Sequence, residues 1–536
     1  MHFRFWSFSL LILFIIAGCS RAPKAPANPR VVVQIFENQS SERELNWVGA
    51  LVAYAVNFQL STVPELASNV IRDNEGTRET GAGRLIQGAV RKSGDKFVVD
   101  ARLIDTASTE ILGSFSAKVT GEEGLLQASS ELAKSLGGLK DVKTLPGTLK
   151  AWKGFAEAEL SHNVETMRAQ VEREPTFAVA YPVLVDMLQR SGAGQEAAAI
   201  ATKLPSDADP LTRAQIEFLS AADAKAKLEA GEKLLKLRIT DPRLRAEIAR
   251  LHASSGDWNG AAQQYVELTK LEPRTTEWWN SLGYAYANAK KMPESEAAFA
   301  QYRRIAPGDL NALDSLGEAN YLNRRFKESI KCFDEVNQKA PGFLGGMGWR
   351  KAAFAYYYAG DLKNADAKFD SWLRIVLGNA PPSQQIFQRA MFLARTSRWT
   401  EAKKLLEEEI GTSSGERKAI GELNLAMMRF GMEKVRPDNV LLVRLAREIK
   451  DSGMHNALSA FALLSQPVAN EAALVAKVNA AIPQPELAKL RAELVEAAHR
   501  LFEPEKLDKN GVFPLPNQLD SPVTALLLSS TVAVIP

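Results

Sequence analysis

The stretch WNSLGYAYANAKKMPESEAAFAQYRRIAP, residues 279–307, decides how this chain folds. It sets Trp279, Leu282, Gly283, Tyr286, Phe299 and Pro307 at spacings that suit two short helices lying against each other. Moved on by 34 residues, the same slots hold Leu313, Leu316, Gly317, Asn320, Phe333 and Pro341. Moved back by 34, they hold Arg245, Ile248, Ala249, His252, Tyr265 and Pro273. Three copies in phase define a stacked helical array, because one helix pair cannot bury its own apolar face and needs a neighbour. Each slot has a packing reason. The Gly or Ala lets the two helices of a pair approach closely, the aromatic fills the gap between them, and the Pro ends the second helix.

This pattern resembles the tetratricopeptide repeat, two helices in about 34 residues. Weaker copies flank the central three. Upstream, Trp152 to Pro175 opens the series, followed by Tyr181, Leu184, Leu188, Ala197 and Leu204, then Ala214, Phe218, Ala230, Leu234 and Pro242. Downstream, Trp349, Ala353, Tyr356, Ala365 and Phe369 fit after a short insertion, and Ile386, Ala390, Leu393, Ala402 and Leu406 after another. The spacing predicts an all-α solenoid of about eight repeats over residues 146–412. Residues 413–503 keep a helical pattern without the repeat phase (Leu441, Val443, Leu445 and Ile449 in one helix, Leu487 to Leu501 in another), as expected of a capping region. Residues 504–536 read as an irregular tail.

Ahead of the array, residues 31–139 change character. Val31 to Phe36 is a β-branched run suited to a buried strand. Ser41-Glu-Arg-Glu44 is a capping-box pattern, and Leu45, Val48, Val52 and Ala55 give the following helix one apolar face. Three strand-like segments follow, 84–91, 96–105 and 110–119, separated by turn clusters at Ser93-Gly94-Asp95 and Thr106-Ala-Ser108. Phe97, Val99, Ala101 and Leu103 share one face of the second segment, and Ile111, Phe115, Ala117 and Val119 one face of the third. Leu125, Leu132 and Leu136 mark a closing helix. The expected fold class is therefore an α+β amino-terminal domain, a mixed sheet with antiparallel hairpins and two or more helices, followed by an all-α solenoid. The strand Val31 to Ser40 and the segment Gly83 to Thr120 resemble the α/β module found ahead of tetratricopeptide arrays in some bacterial signalling proteins, itself similar to the amino-terminal domain of TolB. The resemblance implies a role in protein association.

The amino terminus carries a further signal. Arg4 precedes the apolar stretch Phe5 to Ile16, too short for a comfortable membrane span, and Ile16-Ala17-Gly18-Cys19 resembles a bacterial lipobox. Residues 1–18 are expected to be a cleaved signal peptide, Cys19 the acylated residue, and 19–30, with Pro23, Pro26 and Pro29, an extended tether. A multiply acylated Cys19 anchors a protein to a bilayer, since stable attachment needs two chains. Ser20 after it, where an Asp would favour the inner membrane, points to an outer-membrane protein facing the periplasm.

Composition narrows the function classes. Lys and Arg number 66 against 63 Asp and Glu, a balance that argues against nucleic acid. Of the 2 Cys, Cys19 is assigned to lipid and Cys332 to a helix core, so no internal disulfide is expected. The 5 His (2, 162, 252, 455, 499) lack metal-ligand spacing, and no metal or cofactor is expected. His252 takes a packing slot. No Gly-Lys phosphate loop, Gly-x-Ser-x-Gly elbow or His-Glu-x-x-His is present; Gly81-Ala-Gly83 reads as a loop, and Asp207 and Asp209 as a solvated turn.

Function in such arrays lies on the first helix of each pair. Those slots hold Arg243 and Arg250; Asn280, Tyr284 and Asn288; Asp314, Glu318 and Tyr321; and Arg350, Phe354, Tyr357 and Tyr358. They predict a mixed polar and aromatic groove for a peptide or partner helix. The paired Lys and Asn of the carboxylate-clamp variety are not matched, because Tyr284 stands at a required slot. The leading expectation is a lipid-anchored, non-catalytic scaffold for protein partners in the bacterial cell envelope. The alternatives are a ligand-binding sensory component and, less favoured, an enzyme acting on the cell wall.

Overall fold

A computed structural model describes residues 29–72, 82–483 and most of 491–499. The lipobox with Cys19, most of the tether and the carboxy-terminal tail lie outside the described residues. The chain forms two compact units that divide at Pro273 and Arg274.

The first unit opens with a mixed sheet built from β1 (Val31–Gln34), β2 (Glu37–Asn38), β3 (Asn69–Ile71), β4 (Arg84–Ser93), β5 (Lys96–Asp105) and β6 (Ile111–Thr120). Strand order is β3-β1-β4-β5-β6, with β2 also pairing β4. β1 runs parallel to both neighbours, and β4, β5 and β6 form an antiparallel meander. The hairpin between β4 and β5 closes through Gly94-Asp95, with Gly94 at φ 64°, a left-handed turn that glycine adopts without strain. Phe97, Val99, Ala101 and Leu103 are buried, as their alternation predicts. The face predicted for β6 is broken at its start. Ladder register shifts at Leu103/Ile104, Leu112 is left without an opposite residue, and Ile111 turns out to 50% exposure.

Helix α1 (Asn46–Leu60) differs from expectation twice. The capping box does not form: a short 3-10 turn covers Arg43–Leu45, and the Asn38 side chain directs the entry by donating to Glu42 O at 2.9 Å and Asn46 Oδ1 at 3.0 Å. Nor is α1 apolar on one side only. From Trp47 to Val56 every residue except Tyr54 is buried, because the sheet covers one side and helices cover the others. Those helices are α2 (Gly124–Gly137) and α3 (Leu149–Ser161). Gly49 permits this closeness: a Cβ there would fall 2.0 Å from the Phe36 carbonyl oxygen.

Helix pairs follow in the same unit: α3 with α4 (Val164–Arg173), α5 (Ala180–Arg190) with α6 (Gly194–Ala201), α7 (Pro210–Leu219) with α8 (Ala224–Leu237), and α9 (Pro242–Ser254) with α10 (Trp258–Leu271). One hydrophobic core runs without interruption from Val31 through α1, α2 and α3 to Ile216. Asp209 is not merely a solvated turn residue. Its Oδ1 caps α7, accepting from Leu211 N at 3.0 Å and Thr212 N at 3.2 Å. His252 is more than packing as well, its Nδ1 lying 2.9 Å from the carboxylate of Asp257, the residue that caps α10.

The second unit continues the pairs: α11 (Thr276–Asn288) with α12 (Met292–Ile305), α13 (Asn311–Leu322) with α14 (Phe326–Lys339), α15 (Met347–Tyr358) with α16 (Leu362–Leu377), and α17 (Pro382–Arg395) with α18 (Trp399–Thr412). The packing logic of the repeat is visible at Gly283, where a Cβ would stand 2.5 Å from the Phe299 ring. Cys332 is buried on α14, and burial pushes its thiol up to about 11, so it behaves as a small apolar residue. Helices α19 (Gly415–Glu433), α20 (Asn439–Glu448), α21 (Ser452–Leu464) and α22 (Glu471–Ala481) follow, and the described residues among 491–499 are helical. Of the residues expected to bury α20's apolar face, Leu445 and Ile449 do so, whereas Val443 is 52% exposed.

Candidate partner-binding groove

The candidate groove residues divide between the units. Arg243 and Arg250 stand exposed on α9 of the first. The other ten lie on α11, α13 and α15 of the second, the first helices of three successive pairs.

Four of these ten are not on a surface. Asp314, Tyr321, Arg350 and Phe354 are 3%, 1%, 1% and 0% exposed. For the last three the reason is ring packing within and between pairs. Phe354 meets Phe392 edge-on at 5.3 Å, Arg350 lies over the Trp372 ring at 5.1 Å, and Tyr321 meets Phe326 and Tyr358 edge-on. These residues hold the array together and leave a partner nothing to touch. The sequence reading, which placed Asp314, Tyr321, Arg350 and Phe354 in an open groove, is corrected for these four. Tyr357 and Tyr358 remain half-buried, with ring centroids 5.1 Å apart.

Two of the candidates converge on a residue the sequence reading missed, and a third joins through one of them. Lys351 Nζ reaches Asp314 Oδ2 at 2.5 Å and Glu318 Oε1 at 2.6 Å. The other oxygen of Glu318 accepts from the Tyr284 hydroxyl. Tyr284, Asp314 with Glu318, and Lys351 thus tie α11, α13 and α15 together. Lys351 and Asp314 side chains are only 3% and 5% exposed, and Glu318 19%. Burial alone would lower the Lys351 pKa, but Asp314 and Glu318 outweigh it and hold the ammonium above its usual range. Burial raises Asp314, with Lys351 opposing and Glu318 adding to the shift. Burial and the neighbouring Glu318 carboxylate raise the Tyr284 hydroxyl, so it stays a donor. One signal could have found this brace. Lys351 takes the slot held by Ser281 and Ser315 in the two preceding repeats, where a small residue is normal and a long cation needs a partner.

The remaining candidates form a polar and aromatic margin. Asn288 is half-buried and turns its amide back to Tyr284 O at 2.9 Å. Asn280 is half-buried, and its Oδ1 is enclosed without a hydrogen-bond partner among the described residues. No group of His, Cys, Asp and Glu suited to a metal ion occurs among the described residues. Nor does any described helix have the length and apolarity to cross a membrane.

Comparison with known proteins fits this geometry. Residues 247–309 match the family described as Tetratricopeptide repeat. Residues 247–309 carry that repeat, within a longer series of helix pairs. The whole series of paired helices, typical of that repeat, follows a mixed α/β region. No curated protein matches the sequence. Among solved structures, a tetratricopeptide repeat protein from Parabacteroides merdae is 15% identical, covering 52% of this chain and 94% of its own, with a TM-score of 0.31. MamA from Desulfovibrio magneticus RS-1 is 16% identical, covering 38% of this chain and 97% of its own, with a TM-score of 0.27. YrrB, described as having an unusual peptide-binding site, is 13% identical, covering 40% of this chain and 93% of its own, with a TM-score of 0.25. No catalytic family matches.

Proposed function

We propose that this chain is a lipid-anchored, non-catalytic scaffold of the bacterial cell envelope. It is held at the outer membrane through Cys19, faces the periplasm, and uses its repeats to hold protein partners. The observation that carries the scaffold role is the stacked series of helix pairs with a tetratricopeptide match over 247–309. The anchor and the location rest on Ile16-Ala17-Gly18-Cys19 and Ser20. The α/β region, which resembles the TolB amino-terminal module, provides a second surface for association.

The usable surface is the margin described above. In the second unit it offers Asn280, Asn288, Tyr357 and Tyr358, and in the first Arg243 and Arg250 on α9. Arg350, buried over Trp372, is not a partner contact, and changing it would disturb packing instead.

Two measurements test this reading. Cells fed an alkyne fatty acid should label the wild-type protein, and Cys19→Ala should abolish the label and its membrane fractionation. Crosslinking in cells should recover a defined protein, and Asn288→Ala with Tyr357→Ala should remove it while the helical circular dichroism is unchanged. An unlabelled wild-type protein overturns the anchor. The same partner recovered by the double variant overturns the groove in the second unit.

A further inference from the structure

The α/β region of the first unit does not stand apart from the repeats. α1 lies against α3, with Tyr54 edge-on to Phe155 at 5.2 Å and Phe58 edge-on to Trp152 at 6.1 Å. The Tyr54 hydroxyl donates to the Glu159 carboxylate. Farther along, Arg238 Nη2 donates to Ala67 O at 3.2 Å, Ser68 O at 3.1 Å and Asn69 Oδ1 at 2.9 Å, and its Nε to Asp241 at 2.9 Å. Thr240 Oγ1 donates to Glu65 O at 2.7 Å. The segment after α1 is therefore clasped by the turn between α8 and α9.

Between these two attachments the surfaces part. They leave a cavity of about 280 Å³ walled by α1 and its following segment on one side and by α3, α5 and α7 on the other. These are the first helices of the first three pairs, where a repeat array presents its binding residues.

Its lining has two characters. Phe58, Phe155, Val183 and Leu211 make an apolar wall. Asn57, Asn69 and Gln215 make a polar one. Asn57 Oδ1 accepts from Ser68 Oγ and Asn69 Oδ1 from Arg238, which leaves both NH₂ groups without a protein partner among the described residues. Gln215 makes no side-chain hydrogen bond among them. Three amide NH₂ groups on this wall are thus open to acceptor oxygens of an occupant. Of the charges on the wall, Arg238 is already paired with Asp241, which leaves one cation, Lys143, and one anion, Asp209. The volume lies just under the roughly 300–1,000 Å³ that encloses a drug-sized ligand, so the occupant is small.

We propose that this cavity binds a short, uncharged segment of a partner polypeptide. One apolar side chain rests on the wall of Phe58, Phe155 and Val183, and backbone carbonyl oxygens accept from Asn57, Asn69 and Gln215. A peptide segment combines carbonyl acceptors with a branched apolar group, which is what the two walls match. The proposal rests on the scaffold reading and names a binding site for it in the first unit, where the α/β region completes a wall that the repeats alone lack.

The test uses the full chain with N-acetylated, C-amidated Gly-Leu-Gly as probe, observed by saturation-transfer NMR. Saturable binding is expected in the millimolar range, with the Gly-Asp-Gly and Gly-Lys-Gly counterparts weaker. Val183→Trp, which fills the cavity, should abolish it. Gln215→Ala, at a half-buried position, should weaken it about fivefold, the worth of one neutral hydrogen bond, with an unchanged melting curve. Absence of saturable binding overturns the proposal. So does equal binding of 3-methylbutanol that ignores Gln215→Ala, which would make the cavity a site for small apolar molecules. Partner capture lost with Asn288→Ala and Tyr357→Ala but kept with Val183→Trp would leave the scaffold reading standing and overturn this site as the place where the partner is read.

Discussion

Lys351 shows what one side chain contributes to an array of this kind. Its ammonium meets two carboxylates from one neighbouring helix, and one of these receives the hydroxyl of a third helix. Removing the cation leaves the buried Asp314 and the half-buried Glu318 uncompensated, and breaking a buried pair in this way typically costs about 3–5 kcal/mol. Lys351→Met should therefore shift the urea midpoint down strongly, and Asp314→Asn added to it should recover part of the loss. Because the folded-state pKa of Lys351 is raised, this stabilisation is complete at neutral pH and fades only as pH climbs past the usual lysine range. Equal midpoints for Lys351→Met and wild type at pH 7 would count against the brace. The sequence marks Tyr284, Asp314 and Glu318 as inner-helix residues. Their meeting with Lys351 is not visible in it, because the partners lie more than thirty residues apart and a single side-chain rotation would separate them.

At the scale of elements, the same kind of tie joins α18 to α19. Glu433 accepts from Arg429 at 2.9 Å on its own helix, and from Trp399 at 3.0 Å and Lys403 at 3.2 Å on α18. The Arg429 hydrogen bond, with those of Trp399 and Lys403, lowers the Glu433 carboxyl to about 2. A depressed carboxylate stabilises the fold above its unfolded pKa and loses that contribution as pH falls through the folded value. Glu433→Gln should therefore reduce stability near neutrality and flatten the acid limb of the unfolding curve between about pH 4.5 and about 2. An acid limb of unchanged slope would discount the tie. Elements themselves are legible where period and punctuation agree. The alternation of β5 and the pairs around Gly283 and Gly317 follow from side-chain period alone. The start of α1 was misread because Ser41 and Glu44 match a cap in sequence, while the Asn38 side chain competes for the same turn.

At the scale of the molecule, the first unit joins what the sequence separates into a 31–139 region and a repeat region. Its core passes from the sheet through α1 into α3 without a gap. Expressed alone, residues 31–139 should expose the side of α1 that Trp152 and Phe155 cover, bind an apolar dye, and exchange amide hydrogens rapidly along 46–60. Residues 29–273 should do neither. Slow exchange in the short fragment would mean that the α/β region folds without the repeats.

Local pattern alone was enough to establish a mixed sheet before a series of helix pairs, since strand and helix periods and turn residues act over a few neighbours. It was enough, too, for the small residue at each pair's closest approach and for the apolar role of Cys332. Burial of Asp314, Tyr321, Arg350 and Phe354, the brace at Lys351, the clasp of Arg238 on residues 67–69 and the cavity beside it were settled only by three-dimensional packing. The physical reason is that a repeat slot states which way a side chain points, whereas its exposure depends on what the next pair, or a region as much as 171 positions away, lays over it.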